Sequence, residues 1–129
     1  DENEKLFNSN SRAILNFGHT FGHALETLYK YNNKLTHGEA ISIGMALAAK
    51  ISKNMQLISD YEYKSLIEHL NNANLPSYDI KIRDDKLYNL MLSDKKNSNN
   101  RINLILLNKI GQAFVKKGLN KEEIKRLLI

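Results

Sequence analysis

The sequence has no cysteine, one proline and no long hydrophobic run. The lack of cysteine excludes a disulfide framework and a thiolate metal site, and it is compatible with the reducing cytoplasm, where we expect the protein to act. Because residues 1–5 are polar and acidic, we expect no signal peptide. The longest apolar stretch, about Ala40 to Ala49, is too short to cross a bilayer, so we expect no membrane partner.

A large excess of charge of one sign is also absent. The formal net charge is +5, from 19 Lys and Arg against 14 Asp and Glu. The basic residues are spread along the chain rather than gathered in a stripe, so we expect no nucleic acid partner, although the modest excess is compatible with an anionic substrate. With 42% hydrophobic and 26% charged residues over 129 positions, the composition predicts one soluble globular domain.

Apolar periodicity predicts a mainly α fold with one small β-hairpin. Residues 1–10 lack this periodicity and are interpreted as a linker or a truncated start, whereas residues 11–129 are interpreted as one helical domain. Thr36 and Glu39 have the spacing of a capping box at a helix start. The predicted elements are helices over about 11–29, 36–57, 60–73 (ended before Pro76) and 84–93, strands over 102–107 and 112–115 joined by a turn at Gly111, and a last helix, capped by Asn120, through Leu128.

Four polar residues of the first predicted helix carry the first functional signal. Arg12, Asn16, His19 and His23 follow one another at spacings of four, three and four, which places them on one stripe of a continuous helix. Unpaired polar groups are costly in a core, so such a stripe favours a cleft. Glycines just before both histidines suggest a close approach to this helix, either by a ligand or by a neighbouring helix of small residues.

A histidine pair four residues apart can bind one metal ion, but such a pair alone is more often structural. Thr20 follows His19 where the metallopeptidase motif has glutamate, so peptidase chemistry is not expected. His37 strengthens the metal hypothesis, because the positive end of a helix dipole favours the neutral imidazole that binds metals. A short loop between two antiparallel helices brings His37 back towards the first helix. The simpler alternative is that His37 only belongs to the capping box.

Two adjacent lysines, Lys95 and Lys96, precede the predicted hairpin. As point charges they can hold a phosphate or a carboxylate, although a solvated loop is the simpler interpretation of this segment. His69 lies on an amphipathic helix beside Glu68 and is interpreted as a surface residue.

Three segments together resemble the C-terminal domain of the 3-dehydroquinate synthase family. They are Asn16-Phe17-Gly18-His19-Thr20-Phe21-Gly22-His23-Ala24-Leu25-Glu26, His37-Gly38-Glu39-Ala40 and Asp94-Lys95-Lys96-Asn97, and the hairpin follows in the expected order. The resemblance extends from about Arg12 to Val115. It implies a helical second domain with a small hairpin, as in dehydroquinate synthase-like enzymes.

The resemblance also implies a function and a set of site residues. Such enzymes are phosphate-eliminating lyases of the shikimate pathway, which supplies aromatic amino acid precursors. They convert 3-deoxy-arabino-heptulosonate 7-phosphate to 3-dehydroquinate, using NAD and a divalent metal ion, zinc or cobalt. His19 and His37 match the metal-ligating histidines. The matches to residues that hold the sugar-acid phosphate substrate are Arg12, Asn16, His23 and one of Lys95 or Lys96.

The resemblance places a third metal ligand and most of the NAD pocket in an N-terminal domain, and the chain has no glycine-rich dinucleotide fingerprint. We therefore expect an inactive fragment that needs this domain, and a homodimer for the full-length enzyme. Three alternatives remain open: another sugar-phosphate cyclase, such as a 2-deoxy-scyllo-inosose or epi-valiolone synthase; a metal-dependent alcohol dehydrogenase domain; and a non-catalytic helical module whose histidines are core residues.

Overall fold

The computed structural model of the chain describes residues 16–30, 34–93, 100–109 and 112–128. Within these ranges the fold is mainly helical with one antiparallel hairpin, as predicted. The elements are α1 (His19–Leu28), α2 (His37–Asn54), α3 (Asp60–Asn72), a 3₁₀ turn (Ile80–Arg83), α4 (Asp85–Leu92), β1 (Ile102–Lys109), β2 (Gln112–Leu119) and α5 (Lys121–Leu128). Among the described residues, every helix is too short or too polar to span a membrane.

Side-chain caps determine where several helices begin. The predicted capping box of α2 is confirmed: the Glu39 amide donates to Thr36 Oγ1 at 3.1 Å, and the Thr36 amide donates to Glu39 Oε1 at 2.9 Å. Ser59 and Glu62 form a second box at the start of α3, which the sequence analysis did not identify. Asn120 caps α5, as predicted. Each cap satisfies amide groups that have no partner within the first helical turn.

The start of α1 differs from the prediction. Asn16, Phe17 and Gly18 form a turn, and α1 begins only at His19. Gly18 is the N-cap residue and has a φ of +86°, a left-handed conformation that interrupts a continuous right-handed helix. The predicted single helix from residue 11 is therefore wrong at this point, and Asn16 does not lie on the same helix as His19 and His23. The predicted linker, residues 1–10, lies outside the described residues.

Helices α1 and α2 pack closely and run in opposite directions. A Cβ atom at Gly18 would lie 2.7 Å from the amide nitrogen of Met45, and one at Gly22 would lie 2.6 Å from Cδ1 of Ile41. A Cβ atom at Gly44 would overlap the carbonyl oxygen of Gly18. The glycines of α1 therefore admit the neighbouring helix. Because later residues of α1 meet earlier residues of α2, the antiparallel arrangement predicted for this pair is confirmed.

The core lies around α2, which is covered by α1, the hairpin and α5. Ile102, Leu104 and Leu106 of β1 are buried on the side of the hairpin that faces the helices. Strand β2 continues to Leu119, beyond the predicted end, and its pairing with β1 shifts register near both ends. The largest fully buried side chains of the helices are Phe21, Leu25, Ile43, Ile51, Leu87, Tyr88, Met91 and Ile124.

One buried hydroxyl joins α2 to the hairpin. Ser52 is fully buried, its hydroxyl donates to the Ala48 carbonyl oxygen at 2.8 Å, and it accepts the Leu107 amide at 3.0 Å. Its replacement by alanine leaves the Leu107 amide without this partner in the interior. We expect Ser52→Ala to lower the free energy of unfolding by about 1–3 kcal/mol, measured by urea denaturation.

The matched control for this measurement is Ser65→Ala. Ser65 lies half-buried on α3, so the same atoms are removed outside the core. We expect its unfolding free energy to stay within about 0.5 kcal/mol of the wild-type value. Equal stabilities for the two variants would contradict the role given to the Ser52 hydroxyl.

Candidate metal and anion site

Three histidine rings lie together where α1 faces the start of α2. The ring centres of His19 and His23, one helical turn apart on α1, are 5.2 Å apart. His37, the first residue of α2, has its ring centre 6.2 Å from that of His19 and 6.3 Å from that of His23. His23 is exposed and His19 is half-buried. The antiparallel packing of the two helices thus brings together all three histidines of the predicted site.

Rings at these separations can share a metal ion. A zinc ion bound by two imidazoles lies about 2.0–2.1 Å from one nitrogen of each, and ring centres 5.2 to 6.3 Å apart are compatible with two of the three histidines meeting at one ion. The described residues contain no group of three or more His, Cys, Asp or Glu side chains able to hold a metal ion. The geometry therefore fits a pair of ligands that needs at least one more from elsewhere.

The environment of His19 favours its neutral form. Burial lowers the pKa of the His19 ring below its ordinary value of 6.5, and the nearby His23 and His37 rings lower it further. The backbone carbonyls of Asn16 and Phe17 act in the opposite direction but do not outweigh burial. Neither forms a well-oriented hydrogen bond with Nδ1, which is buried without a partner. An unsatisfied buried nitrogen on a neutral ring is consistent with a site that binds a ligand.

His37 is held by a carboxylate that the sequence analysis did not single out. Nδ1 of His37 lies 3.0 Å from Oε1 of Glu26 on α1. This contact follows from the packing of the two helices. Gly22 faces Ile41, and because the helices are antiparallel, four residues further along α1 (Glu26) meets four residues earlier on α2 (His37). Glu26 belongs to the long first motif, but only the antiparallel register shows that it faces His37.

The other predicted site residues are placed as follows. Asn16 is exposed in the turn directly before α1, and its carbonyl oxygen accepts the His19 amide at 3.0 Å. Arg12, Lys95 and Lys96 lie outside the described residues. His69 is exposed on α3, as predicted for a surface residue.

Comparison with known proteins identifies similar sequences of greater length. Residues 2–97 match a family model described as 3-dehydroquinate synthase C-terminal. The chain is 44% identical over 114 residues to the 3-dehydroquinate synthase of Dichelobacter nodosus, covering 88% of this chain and 31% of that protein. It is 40% identical over 129 residues to the enzymes of Nitrobacter hamburgensis, covering 91% and 33%, and Coxiella burnetii, covering 99% and 35%. The chain thus spans about a third of the length of these relatives.

Solved structures with a similar fold include two sugar-phosphate cyclases. One is a 2-deoxy-scyllo-inosose synthase complexed with carbaglucose-6-phosphate, NAD⁺ and Co²⁺, with a TM-score of 0.75 and 27% identity, covering 96% of this chain and 35% of that one. The other is a 2-epi-5-epi-valiolone synthase from Streptomyces hygroscopicus with NAD⁺ and Zn²⁺ bound. Its TM-score is 0.75 at 24% identity, with 88% of this chain and 31% of that one covered, so it supports the fold alone.

Proposed function

The chain belongs to the 3-dehydroquinate synthase C-terminal family, and from this premise we propose that it is the metal- and substrate-binding part of a 3-dehydroquinate synthase. The proposed reaction is the conversion of 3-deoxy-arabino-heptulosonate 7-phosphate to 3-dehydroquinate with release of phosphate. NAD is bound mainly by an N-terminal domain of the same enzyme. We further propose that the full-length enzyme is a cytoplasmic homodimer.

The observation that carries this proposal is the meeting of the rings of His19, His23 and His37 on one side of the α1–α2 pair. The rings come from two helices, and His37 lies 14 residues after His23 in the sequence. They lie at the edge of the domain, since His23 is exposed and the side chain of His37 is 61% exposed. An edge position leaves room for ligands that a second domain supplies.

Each residue has a distinct role in the proposed site. His19 and His37 hold the divalent ion, zinc or cobalt, through neutral imidazole nitrogens. When bound, the ion supplies Lewis-acid polarisation of substrate oxygens. His23, on the same face of α1 as His19, donates a hydrogen bond to the anionic substrate. Asn16, in the turn before α1, orients a substrate hydroxyl.

Cations from two further segments complete the proposed substrate site. Arg12 pairs with the substrate carboxylate through its planar guanidinium, and Lys95 or Lys96 neutralises the phosphate. Holding both charged ends of a flexible sugar acid fixes its reacting atoms, so much of the contribution of this domain is positioning. Because a catalytic zinc site needs three protein ligands, the isolated chain is expected to be inactive.

A related cyclase activity is the second candidate. The 2-deoxy-scyllo-inosose synthase structure has the same fold at 27% identity, whereas 3-dehydroquinate synthases are about 40% identical to the chain. The proposed carboxylate-binding role of Arg12 also favours a keto-acid phosphate over a sugar phosphate that has no carboxylate. We therefore place dehydroquinate synthesis first.

A domain chimera tests the proposed function. In the chimera, this chain replaces the matching C-terminal segment of the Dichelobacter nodosus enzyme and is joined to the N-terminal two thirds of that enzyme. Product formation is followed with two substrates, the heptulosonate phosphate and, for the related cyclase activity, glucose 6-phosphate. We expect phosphate release and 3-dehydroquinate from the heptulosonate phosphate, no cyclised product from glucose 6-phosphate, and no turnover by the isolated chain.

Circular dichroism and NAD binding establish that the chimera is folded before turnover is compared. The control is the same chimera with His19 and His37 both replaced by alanine, which is expected to lose activity. A folded chimera that binds NAD and zinc but releases no phosphate from the heptulosonate phosphate would contradict the proposal. Clear turnover by the isolated chain would contradict its description as an incomplete enzyme.

A further inference from the structure

The Glu26 carboxylate is in direct contact with His37. The 3.0 Å contact joins Oε1 of Glu26 to Nδ1 of His37 across the α1–α2 interface. The two side chains differ in their surroundings: that of Glu26 is only 12% exposed, whereas that of His37 is 61% exposed. The enclosed side chain of Glu26 therefore has less room to move than the exposed imidazole of His37. Glu26 is the more restricted partner of the pair.

The chemistry of the contact determines the tautomer of His37. A carboxylate only accepts hydrogen bonds, so the ring nitrogen that faces it must carry the hydrogen. With the hydrogen on Nδ1, the neutral ring has its lone pair on Nε2, on the opposite side of the ring. Metal-binding histidines are commonly held in this way, with a carboxylate on one nitrogen and the metal on the other.

His19 lacks an equivalent partner. Its Nδ1 atom is buried and makes no hydrogen bond, and its ring is half-buried at the start of α1. Packing therefore restricts the His19 ring, whereas His37 depends on a side-chain contact. The two predicted ligands are held by different physical means, so a change at Glu26 affects only one of them directly.

The register of the helix pair places the carboxylate. Moving from Gly18 to Gly22 to Glu26 along α1, the facing positions on α2 are Met45, Ile41 and His37, each step being four residues on both helices. The close backbone packing at the two glycines thus fixes the separation of Glu26 and His37.

We infer that Glu26 is a positioning residue that holds His37 with Nε2 free to bind the metal ion. This inference rests on the proposed function, because it assigns Glu26 a task in the proposed metal site. A merely structural role is the competing explanation, in which the contact only ties the start of α2 to α1. The two explanations differ in what they predict for the ring of His37 and for metal affinity in variants that remain folded.

The first test measures the tautomer of His37 in the 129-residue chain without metal. Long-range nitrogen–hydrogen NMR spectra distinguish a hydrogen on Nδ1 from one on Nε2. We expect the wild-type ring to carry it on Nδ1, and Glu26→Ala to release the ring to a mixture of both forms. Glu26→Gln keeps an oxygen that can accept from Nδ1, so it is expected to retain more of the wild-type form. The same tautomer in wild type and Glu26→Ala would overturn the inference.

The second test measures zinc affinity of the same chains by competition with a chromophoric chelator. We expect Glu26→Ala to weaken zinc binding about 10–100-fold, the usual cost of losing a partner of a metal-bound histidine, with Glu26→Gln between it and wild type. The matched control is Glu68→Ala, which removes an exposed carboxylate from α3 and is expected to leave zinc affinity unchanged. Thermal melts establish that all variants are folded at the temperature of the titration.

The outcomes separate this inference from the proposed function. Suppose that wild type binds zinc and that His37→Ala weakens binding whereas Glu26→Ala does not. Glu26 then has only a structural role, and the inference fails while the proposed metal site stands. If wild type binds zinc no better than a variant lacking both His19 and His37, the proposed metal site fails and the inference fails with it.

Discussion

Replacement of both His19 and His37 by alanine is expected to weaken zinc binding by the 129-residue chain by more than about 100-fold, since even an outer partner of a metal ligand contributes 10–100-fold. The two rings come from different helices, with centres 6.2 Å apart, and burial and nearby rings lower the pKa of His19. Two rings this close can share one metal ion, and the lowered pKa of His19 favours the unprotonated ring that binds metals. Calorimetric titration with zinc at neutral pH provides the measurement.

The matched control for the histidine variant is His69→Ala, which removes an exposed imidazole from α3. It is expected to retain wild-type zinc affinity. If the chain is instead a non-catalytic helical module with structural histidines, zinc binding is expected to be equally weak in the wild type, the double variant and His69→Ala. Equal affinities for wild type and the double variant would therefore favour the module and contradict the metal site.

The second large effect is expected at Gly44, where α2 touches the backbone of α1. An added methyl group would overlap the carbonyl oxygen of Gly18 and lie 2.9 Å from its carbonyl carbon. Backbone cannot rotate aside as a side chain can, so the helices must separate. We expect Gly44→Ala to lower the free energy of unfolding by about 3 kcal/mol, at the upper end of the usual range for overpacking. Urea denaturation measures this loss.

Gly38→Ala is the control for the helix-packing prediction. A Cβ atom at Gly38 meets nothing within 4 Å, and the residue lies in the first turn of α2. Alanine is favoured over glycine in helices by about 0.5–1 kcal/mol, so this variant is expected to be as stable as wild type or slightly more so. If Gly44→Ala is as stable as Gly38→Ala, the close approach of α1 and α2 is not as described.

The Gly44 variant also connects packing with function. The same helix interface places Glu26 opposite His37 and brings the ring of His37 near that of His19. A shift of α1 relative to α2 therefore changes the site as well as the stability. We expect zinc affinity of folded Gly44→Ala to fall, whereas Ser52→Ala, which acts at the hairpin, should leave it unchanged.

Much of the fold could be predicted because its signals are local. The spacing of Thr36 and Glu39 defines a helix start within four residues, and the observed helix begins at the next position, His37. Likewise Asn120 caps the final helix, and the two strands of the hairpin begin at the predicted positions, Ile102 and Gln112. Such features depend on hydrogen bonds between neighbours, which a single sequence displays directly.

The errors and omissions involve contacts between distant residues. Gly18 fits a helix interior by apolar spacing, but its position against Met45 and Gly44 places it in a left-handed turn. Glu26 is one carboxylate among 14 acidic residues, and only the register of two helices shows that it meets His37. The Ser52 hydroxyl bond to Leu107 spans 55 positions and could not be read from the sequence.

Two kinds of sequence signal indicate the site residues. The spacing of His19 and His23 indicated a shared helix face, and the antiparallel loop indicated that His37 returns towards it. The residue roles, by contrast, came from resemblance to a family whose members are about three times as long as the chain. Arg12, Lys95 and Lys96 remain predictions of that resemblance, because they lie outside the described residues.

The central claim is most directly tested by a crystal structure of the 129-residue chain grown with zinc, using anomalous diffraction at the zinc edge. We expect one strong peak between the rings of His19 and His37, with a nitrogen of each about 2.0–2.1 Å away and Nδ1 of His37 still facing Glu26. A zinc ion bound elsewhere, or held by only one of these two rings, would contradict the account.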